Sequence, residues 1–138
     1  IKAVIPENKI GLRLSPHTGI NEEWLVMEHD ERDKAVFEYT LDKLNEYNLA
    51  YLHKGMYEDY YVPHLAGTTS QFFRQHYQGK IIACGGYTVD TANAAISAGN
   101  ADLVAFGRPF IANHDFVMRS IKNQPVKPYE VSMLATLD

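Results

Sequence analysis

The chain has 138 residues, 46% of them hydrophobic and 22% charged, with a formal net charge of −4. That balance suits one ordinary globular domain over residues 1–138 and excludes a basic surface that neutralises phosphates, so nucleic acid is not an expected partner. No apolar run approaches the roughly 20 residues that span a bilayer, so no membrane partner is expected either. The single cysteine, Cys84, rules out an internal disulfide and fits a reducing, cytoplasmic compartment.

Taken in chain order, four short apolar runs alternate with four helical patterns. The first run, "KIGLRLSP" (9–16), ends on serine and proline. Residues 32–48 then place Val36, Phe37, Thr40, Leu41, Leu44 and Tyr47 at three-to-four spacing, which predicts an amphipathic helix. The second run is "LAYLHKG" (49–55), and residues 70–77 predict a shorter helix capped by Thr69 or Ser70. The third run, "KIIACGGY" (80–87), leads into an alanine-rich helix over 90–98, with Thr88 or Asp90 as cap and Gly99 closing it. The fourth, "ADLVAFGR" (101–108), precedes a helix over 113–122 with Asn113 or Asp115 near its start and Pro125 beyond its end. Nearly continuous apolar strands alternating with helices predict βα units and a parallel sheet covered on both faces. Four units are half of an eight-stranded barrel, or a small open sheet. A half-barrel would leave two strand edges open to self-association or to a second half. The first residues, "IKAVIPENK", lack a signal-peptide layout and an initiator methionine, and are read as the start of a piece of something longer.

In parallel α/β proteins chemistry gathers at the C-terminal ends of the strands. Those ends hold Arg13 with Ser15 and Pro16, His53 and Lys54, Gly85 and Gly86, and Gly107 and Arg108. Glycines let backbone N–H groups approach an anion, and an arginine adds a planar, permanent charge suited to phosphate. The two glycine-bearing ends therefore read either as a phosphate site or as plain turns with Arg108 on a surface carboxylate. Arg13 lies between Leu12 and Leu14, so alternation sends it to the opposite face, where a buried guanidinium needs an anionic ligand or an internal carboxylate. The six histidines show no metal-ligand spacing. Cys84 is expected to be a buried, inert thiol.

The stretches "IGLRLSP", "AYLH", "IIACGGYT" and above all "ADLVAFGRPFIANHDFVMR" resemble the C-terminal half of the old yellow enzyme family. The resemblance covers most of residues 9–119. It implies an α/β fold of the (β/α)8 TIM-barrel type, with this chain covering roughly strands five to eight. It implies FMN as cofactor, NAD(P)H as reductant, and reduction of the activated C=C of an α,β-unsaturated carbonyl compound. Arg13 would lie against the flavin near N1 and the C2 carbonyl, while Gly85, Gly86, Gly107 and Arg108 would hold the FMN phosphate. The aromatic loop "KGMYEDYYVPHLAG" offers Tyr57, Tyr60 and Tyr61 as weak substrate-contact candidates, or as surface cover. The residues that would anchor and protonate the substrate belong to the half that is not in this chain, so no catalytic residue is assignable here. His114 replaces a proline usual in the family, and "YEVSMLATLD" does not match its closing segment. The alternative is a non-catalytic, truncated or degenerate half-barrel that binds phosphate or flavin weakly or self-associates.

Overall fold

Each of the four apolar runs becomes a strand, and each strand is shorter than its run. The computed structural model describes residues 3–16, 31–55 and 58–136. In chain order the elements are β1 (Gly11–Leu14), α1 (Glu31–Leu44), β2 (Tyr51–Lys54), β3 (Tyr61–Val62), β4 (Gly67–Thr68), α2 (Thr69–His76), β5 (Ile81–Cys84), α3 (Val89–Ser97), β6 (Leu103–Ala105), α4 (Arg108–Ala112) and α5 (Phe116–Ile121), with three short 3-10 turns. They divide into two compact units, Ile1–Ala105 and Phe106–Asp138, each described by itself.

In the first unit β1, β2, β5 and β6 form one parallel sheet in that order. The order follows the chain without the reversal that marks a doubly wound sheet, so the sheet is wound in one sense, as a barrel is. Its two faces differ. Leu12, Leu14, Leu52, Ile81, Ala83 and Val104 point to one face and join Leu41, Phe72, Phe73 and Tyr77 from α1, α2 and the turn after α2 in a single core. The register Arg13–His53–Ile82–Leu103 runs across the other face. There Arg13 is exposed, His53 and Ile82 are half-buried, and Leu103 is 58% exposed. The sequence reading covered both faces with helices. Among the described residues of the first unit, helices cover one face and leave the other bare, and Cys84, expected to be buried, is only half-buried.

The helices correct the reading in detail. α1 stops at Leu44 rather than Asn48, because the N–H groups of Asn45, Glu46 and Tyr47 turn to carbonyls three residues back. Its inward stripe is Phe37, Leu41 and Leu44, whereas Val36 is 62% exposed. At 3.6 residues per turn, Val36 lies about 100° around the helix from Phe37 and cannot share its face. α2 is capped by Thr68, not Thr69 or Ser70: Thr68 Oγ1 accepts from the Gln71 N–H (3.3 Å) and Gln71 Oε1 accepts from the Thr68 N–H (2.8 Å). α3 is capped as expected by Thr88 and followed by Gly99 in the left-handed region (φ +74°). The expected last helix is present as α5, inside the expected 113–122 and with Asp115 in the N-cap position, while the short α4 before it was not anticipated. Asn113 adopts extended geometry (φ −146°, ψ 97°), and its side-chain amide donates to the Pro109 and Lys127 carbonyls, so α4 and α5 separate around it. In this second unit Phe116 packs against Phe106 and Phe110.

The two-residue antiparallel pair β3–β4 was not anticipated. It sits in the aromatic loop and sends Val62 and Leu65 into the core. Two residues per strand are too few for a visible alternation.

Candidate functional site

The C-terminal ends of β1, β2 and β5 gather the polar side chains of the first unit. On the bare face, Arg13 Nη1 lies 3.0 Å from His53 Nδ1 and 3.2 Å from Nε2. A guanidinium only donates, so His53 must accept, and its ring is neutral at that nitrogen. Burial, then the charges of Arg13 and Lys54, push the His53 pKa below its ordinary value, consistent with that role. The sequence offered an anionic ligand or an internal carboxylate for a buried Arg13. The side chain is instead exposed and rests on an imidazole, because the face it points to is uncovered. Gly55 makes room for it: a Cβ there would come within 2.6 Å of Arg13 Nε and 2.7 Å of Ser15 Oγ. Sequence reasoning passed over Gly55, although its place one residue after β2 is a strand-end position.

Gly85 (φ +132°) and Gly86 (φ +64°) turn the chain out of β5 through backbone that L residues rarely adopt. Gly85 has a second constraint. A Cβ on it would lie 2.8 Å from the Glu58 carbonyl carbon and 2.9 Å from the Asp59 nitrogen. The loop after β2 therefore lies directly on the glycine turn, and the Asp59 N–H donates to the Gly85 carbonyl (3.1 Å). Over Gly86 the neighbour is the Glu58 side chain, whose Cγ would be 3.3 Å from an added Cβ. A carboxylate beside a turn read as a phosphate cradle opposes that phosphate by like charge.

Behind the turn lies a polar cluster that the sequence did not announce. Lys54 is fully buried and Asp59 nearly so, with Lys54 Nζ 2.9 Å from Asp59 Oδ1 as an ion pair off the line of a hydrogen bond. Asp59 Oδ1 also accepts from Thr69 Oγ1 (2.7 Å) and the Ser70 N–H (3.2 Å), and Oδ2 accepts a short hydrogen bond from the Tyr87 hydroxyl. Ser70 Oγ stands 3.3 Å from that hydroxyl. Burial works to raise the Asp59 pKa, but Lys54 and the hydroxyl donors outweigh it and hold the carboxyl below its ordinary value. Burial lowers the Lys54 pKa against the pull of Asp59, and burial with the Asp59 contact raises that of Tyr87. This cluster explains why Thr69 and Ser70 do not cap α2: their polar groups are taken by Asp59 and Tyr87.

Gly107 and Arg108 open the second unit, at the start of α4. Gly107 has φ −99°, so no conformational demand selects glycine, and a Cβ there would meet nothing within 4 Å. Its carbonyl accepts from the Phe110 N–H (3.0 Å). Tyr60 and Tyr61 are exposed, Tyr61 paired with Thr68 in the β3–β4 ladder, and Tyr57 lies outside the described residues, as do His17 and His29. Among the described residues no group of three or more His, Cys, Asp or Glu could hold a metal, and no helix is long and apolar enough to cross a membrane.

Residues 1–127 match the family model described as NADH:flavin oxidoreductase / NADH oxidase. Among curated proteins the chain is 31% identical over 136 residues to 12-oxophytodienoate reductase 2 of Arabidopsis thaliana, covering 97% of this chain and 35% of that protein. It is 29% identical over 133 residues to a probable flavin mononucleotide-dependent alkene reductase of Leishmania infantum, covering 96% and 34%. Among solved structures it superposes on the old yellow enzyme from Trypanosoma cruzi with a TM-score of 0.78 at 28% identity, covering 96% of this chain and 33% of that one. On morphinone reductase in complex with tetrahydroNAD the TM-score is 0.73 at 32% identity, covering 96% and 34%. The chain thus spans about a third of the length of the relatives it matches. These neighbours are TIM barrels, and the singly wound sheet with one bare face is an arc of such a barrel.

Proposed function

The chain belongs to the NADH:flavin oxidoreductase / NADH oxidase family, and on that premise we propose that it supplies the FMN-phosphate side of an ene-reductase site. The reaction passes hydride from NAD(P)H through FMN to the activated C=C of an α,β-unsaturated carbonyl compound. The observation that carries the reading is the Arg13–His53 row on the bare sheet face, next to a glycine turn at the C-terminal end of β5. The residue types of the first unit fit the group: a permanent cation on the face a barrel would enclose, and two glycines at positive φ, where no side chain stands between an anion and the backbone. Glu58 is the one discordant charge.

When bound, FMN supplies reversible hydride chemistry. The residues of this chain bind and orient. Arg13 would sit against the flavin ring, its guanidinium held in one orientation by His53, where a fixed cation favours the more negative, reduced ring. Gly85, Gly86, Gly107 and Arg108 would hold the phosphate. Tyr57, Tyr60 and Tyr61 are kept as substrate-contact candidates. No residue of this chain is assigned the proton transfer. The nicotinamide and alkene classes are supported by what the relatives are named for, a complex with tetrahydroNAD and an alkene reductase.

The test uses the full chain. FMN is added, excess is removed by gel filtration, and NADPH consumption is followed with a simple enone. Stoichiometric retained flavin is expected, with enone-dependent NADPH consumption only when a second half supplies the proton donor. Absence of retained flavin overturns the assignment. The bare face and the outer strands β1 and β6 favour a second reading, a half-barrel that self-associates or pairs with another half; the particle mass from the same column tests it.

A further inference from the structure

The buried Lys54–Asp59 pair is an unusual use of charge. Removing two ions from water costs several kcal/mol each, and a well-packed apolar pair would serve stability as well or better. Its position suggests what it is for. Asp59 touches the glycine turn at two points: its N–H donates to the Gly85 carbonyl inside the turn, and its carboxylate accepts from the Tyr87 hydroxyl after it. The same carboxylate is fastened to α2 through Thr69 and Ser70, and to the end of β2 through Lys54. Gly85 carries the first tie and Gly86 lies between the two; these are the residues with the most conformational freedom in this part of the chain. Left alone, such a pair samples both signs of φ, and its N–H groups point in no fixed direction.

We propose that Asp59, Tyr87 and Lys54 act as positioning residues that lock the Gly85–Gly86 turn in the conformation that receives a phosphate monoester. Asp59 clamps the turn at two points, one inside it and one after it. Tyr87 carries the second tie. Lys54 supplies the counter-charge that keeps Asp59 ionised, since a protonated carboxyl would accept from fewer donors at once. The inference rests on the reading of the glycine turn as the FMN phosphate site.

The experiment compares two probes on the full chain: FMN, and riboflavin, which has the same ring and no phosphate. Wild type is expected to bind FMN more tightly. Tyr87→Phe removes one tie with little change in shape, and is expected to shrink the ratio of riboflavin to FMN dissociation constants about fivefold while leaving riboflavin binding unchanged. A second variant, Lys54→Met with Asp59→Leu, removes the clamp together with its charges, so no ion is left buried alone; the ratio is expected to fall tenfold or more. A thermal melt reports whether each variant is folded. A structural contribution alone would weaken both probes equally and leave the ratio unmoved. If wild type prefers FMN and Arg108→Ala abolishes the preference, but both clamp variants keep it, the phosphate reading stands and the clamp is overturned. If wild type itself shows no preference for FMN, the phosphate reading falls, and the clamp with it.

Discussion

Two carboxylates tie the same parallel sheet at opposite ends, and they are built for different ends. Asp102 sits at the N-terminal end, where it accepts from Arg74 (2.6 Å), Lys80 (2.9 Å) and the Ile81 N–H (2.9 Å). It is about a quarter exposed, and besides the Ile81 N–H its partners are Arg74, about as exposed, and Lys80, largely exposed. Asp59 sits at the C-terminal end, sealed from water, with a buried lysine and two hydroxyls. The first arrangement joins β5 to β6 cheaply, because its ions stay partly hydrated. The second carries a large desolvation cost beside the turn where a ligand is proposed to bind. In barrels of this kind the N-terminal ends of strands serve stability and the C-terminal ends serve chemistry. The two carboxylates follow that division.

The largest expected effect breaks the buried pair. Asp59→Asn leaves the Lys54 ammonium without its counter-charge, with an expected loss of about 3–5 kcal/mol by urea denaturation; adding Lys54→Met should recover most of it. Retention of full stability in the single variant would mean that the pair is hydrated in solution.

Next comes a dissociation of binding from stability. Arg108→Ala is expected to weaken FMN about 10- to 100-fold, the cost of one or two charge-assisted hydrogen bonds, with the melting temperature unchanged. Equal FMN affinity in the variant would remove Arg108 from the phosphate site.

Asp102 should do the reverse. Against the upward push of burial, the Ile81 N–H, Lys80 and Arg74 hold its pKa at about 2, below the ordinary 3.8. A depressed acid pKa adds stability above pH 3.8 that is lost as pH falls toward 2. After allowance for its partial exposure, Asp102→Asn is expected to cost about 1–2 kcal/mol at neutral pH and to flatten that acid limb of the stability curve, with flavin affinity unaltered. An unchanged acid limb would show that the contacts are not kept in solution.

A smaller effect concerns the bare face. Arg13→Ala is expected to lower the bound-flavin potential by about 30 mV, equivalent to about 1.4 kcal/mol for a two-electron couple. An unaltered potential would leave Arg13 as a partner of His53 and nothing more. The smallest effect is at Glu58, whose charge opposes a phosphate at Gly86. Glu58→Gln should tighten FMN about twofold at low salt and not at high salt. Unchanged affinity at both would place the phosphate away from Gly86.

Much of the fold was legible from local signals. The alternation of short apolar runs with helical patterns marked all four parallel strands, because strands of a parallel sheet carry apolar residues on both faces, including the face left bare here. Thr88 and Gly99 marked the limits of α3, because capping is local chemistry. Errors came where a local signal met a distant partner. Thr69 and Ser70 looked like caps but were drawn to Asp59, ten and eleven residues away. Asn113 and Asp115 both looked like the start of the last helix; Asp115 takes the N-cap position, and the Asn113 side chain bridges to the Lys127 carbonyl instead.

The candidate site divides the same way. Residue type and strand-end position pointed to Arg13, the glycine pair and Arg108, since a guanidinium, a glycine turn and a helix start carry their chemistry locally. Neither the rest of Arg13 on His53 nor the approach of Glu58 and Asp59 to the glycine turn could be read that way. Lys54 stands among the strand-end residues, but nothing local shows that it is buried. It is buried because alternation along β2 sends it to the same face as Leu52, and only the arrival of Asp59 from the following loop makes that tolerable. The sequence by itself determined the order of the four parallel strands and of the helices between them, and the kinds of side chain at the strand ends, because both depend on near neighbours along the chain. The tertiary structure decided which face of the sheet is bare and which charges are buried, because both depend on contacts between residues far apart in sequence.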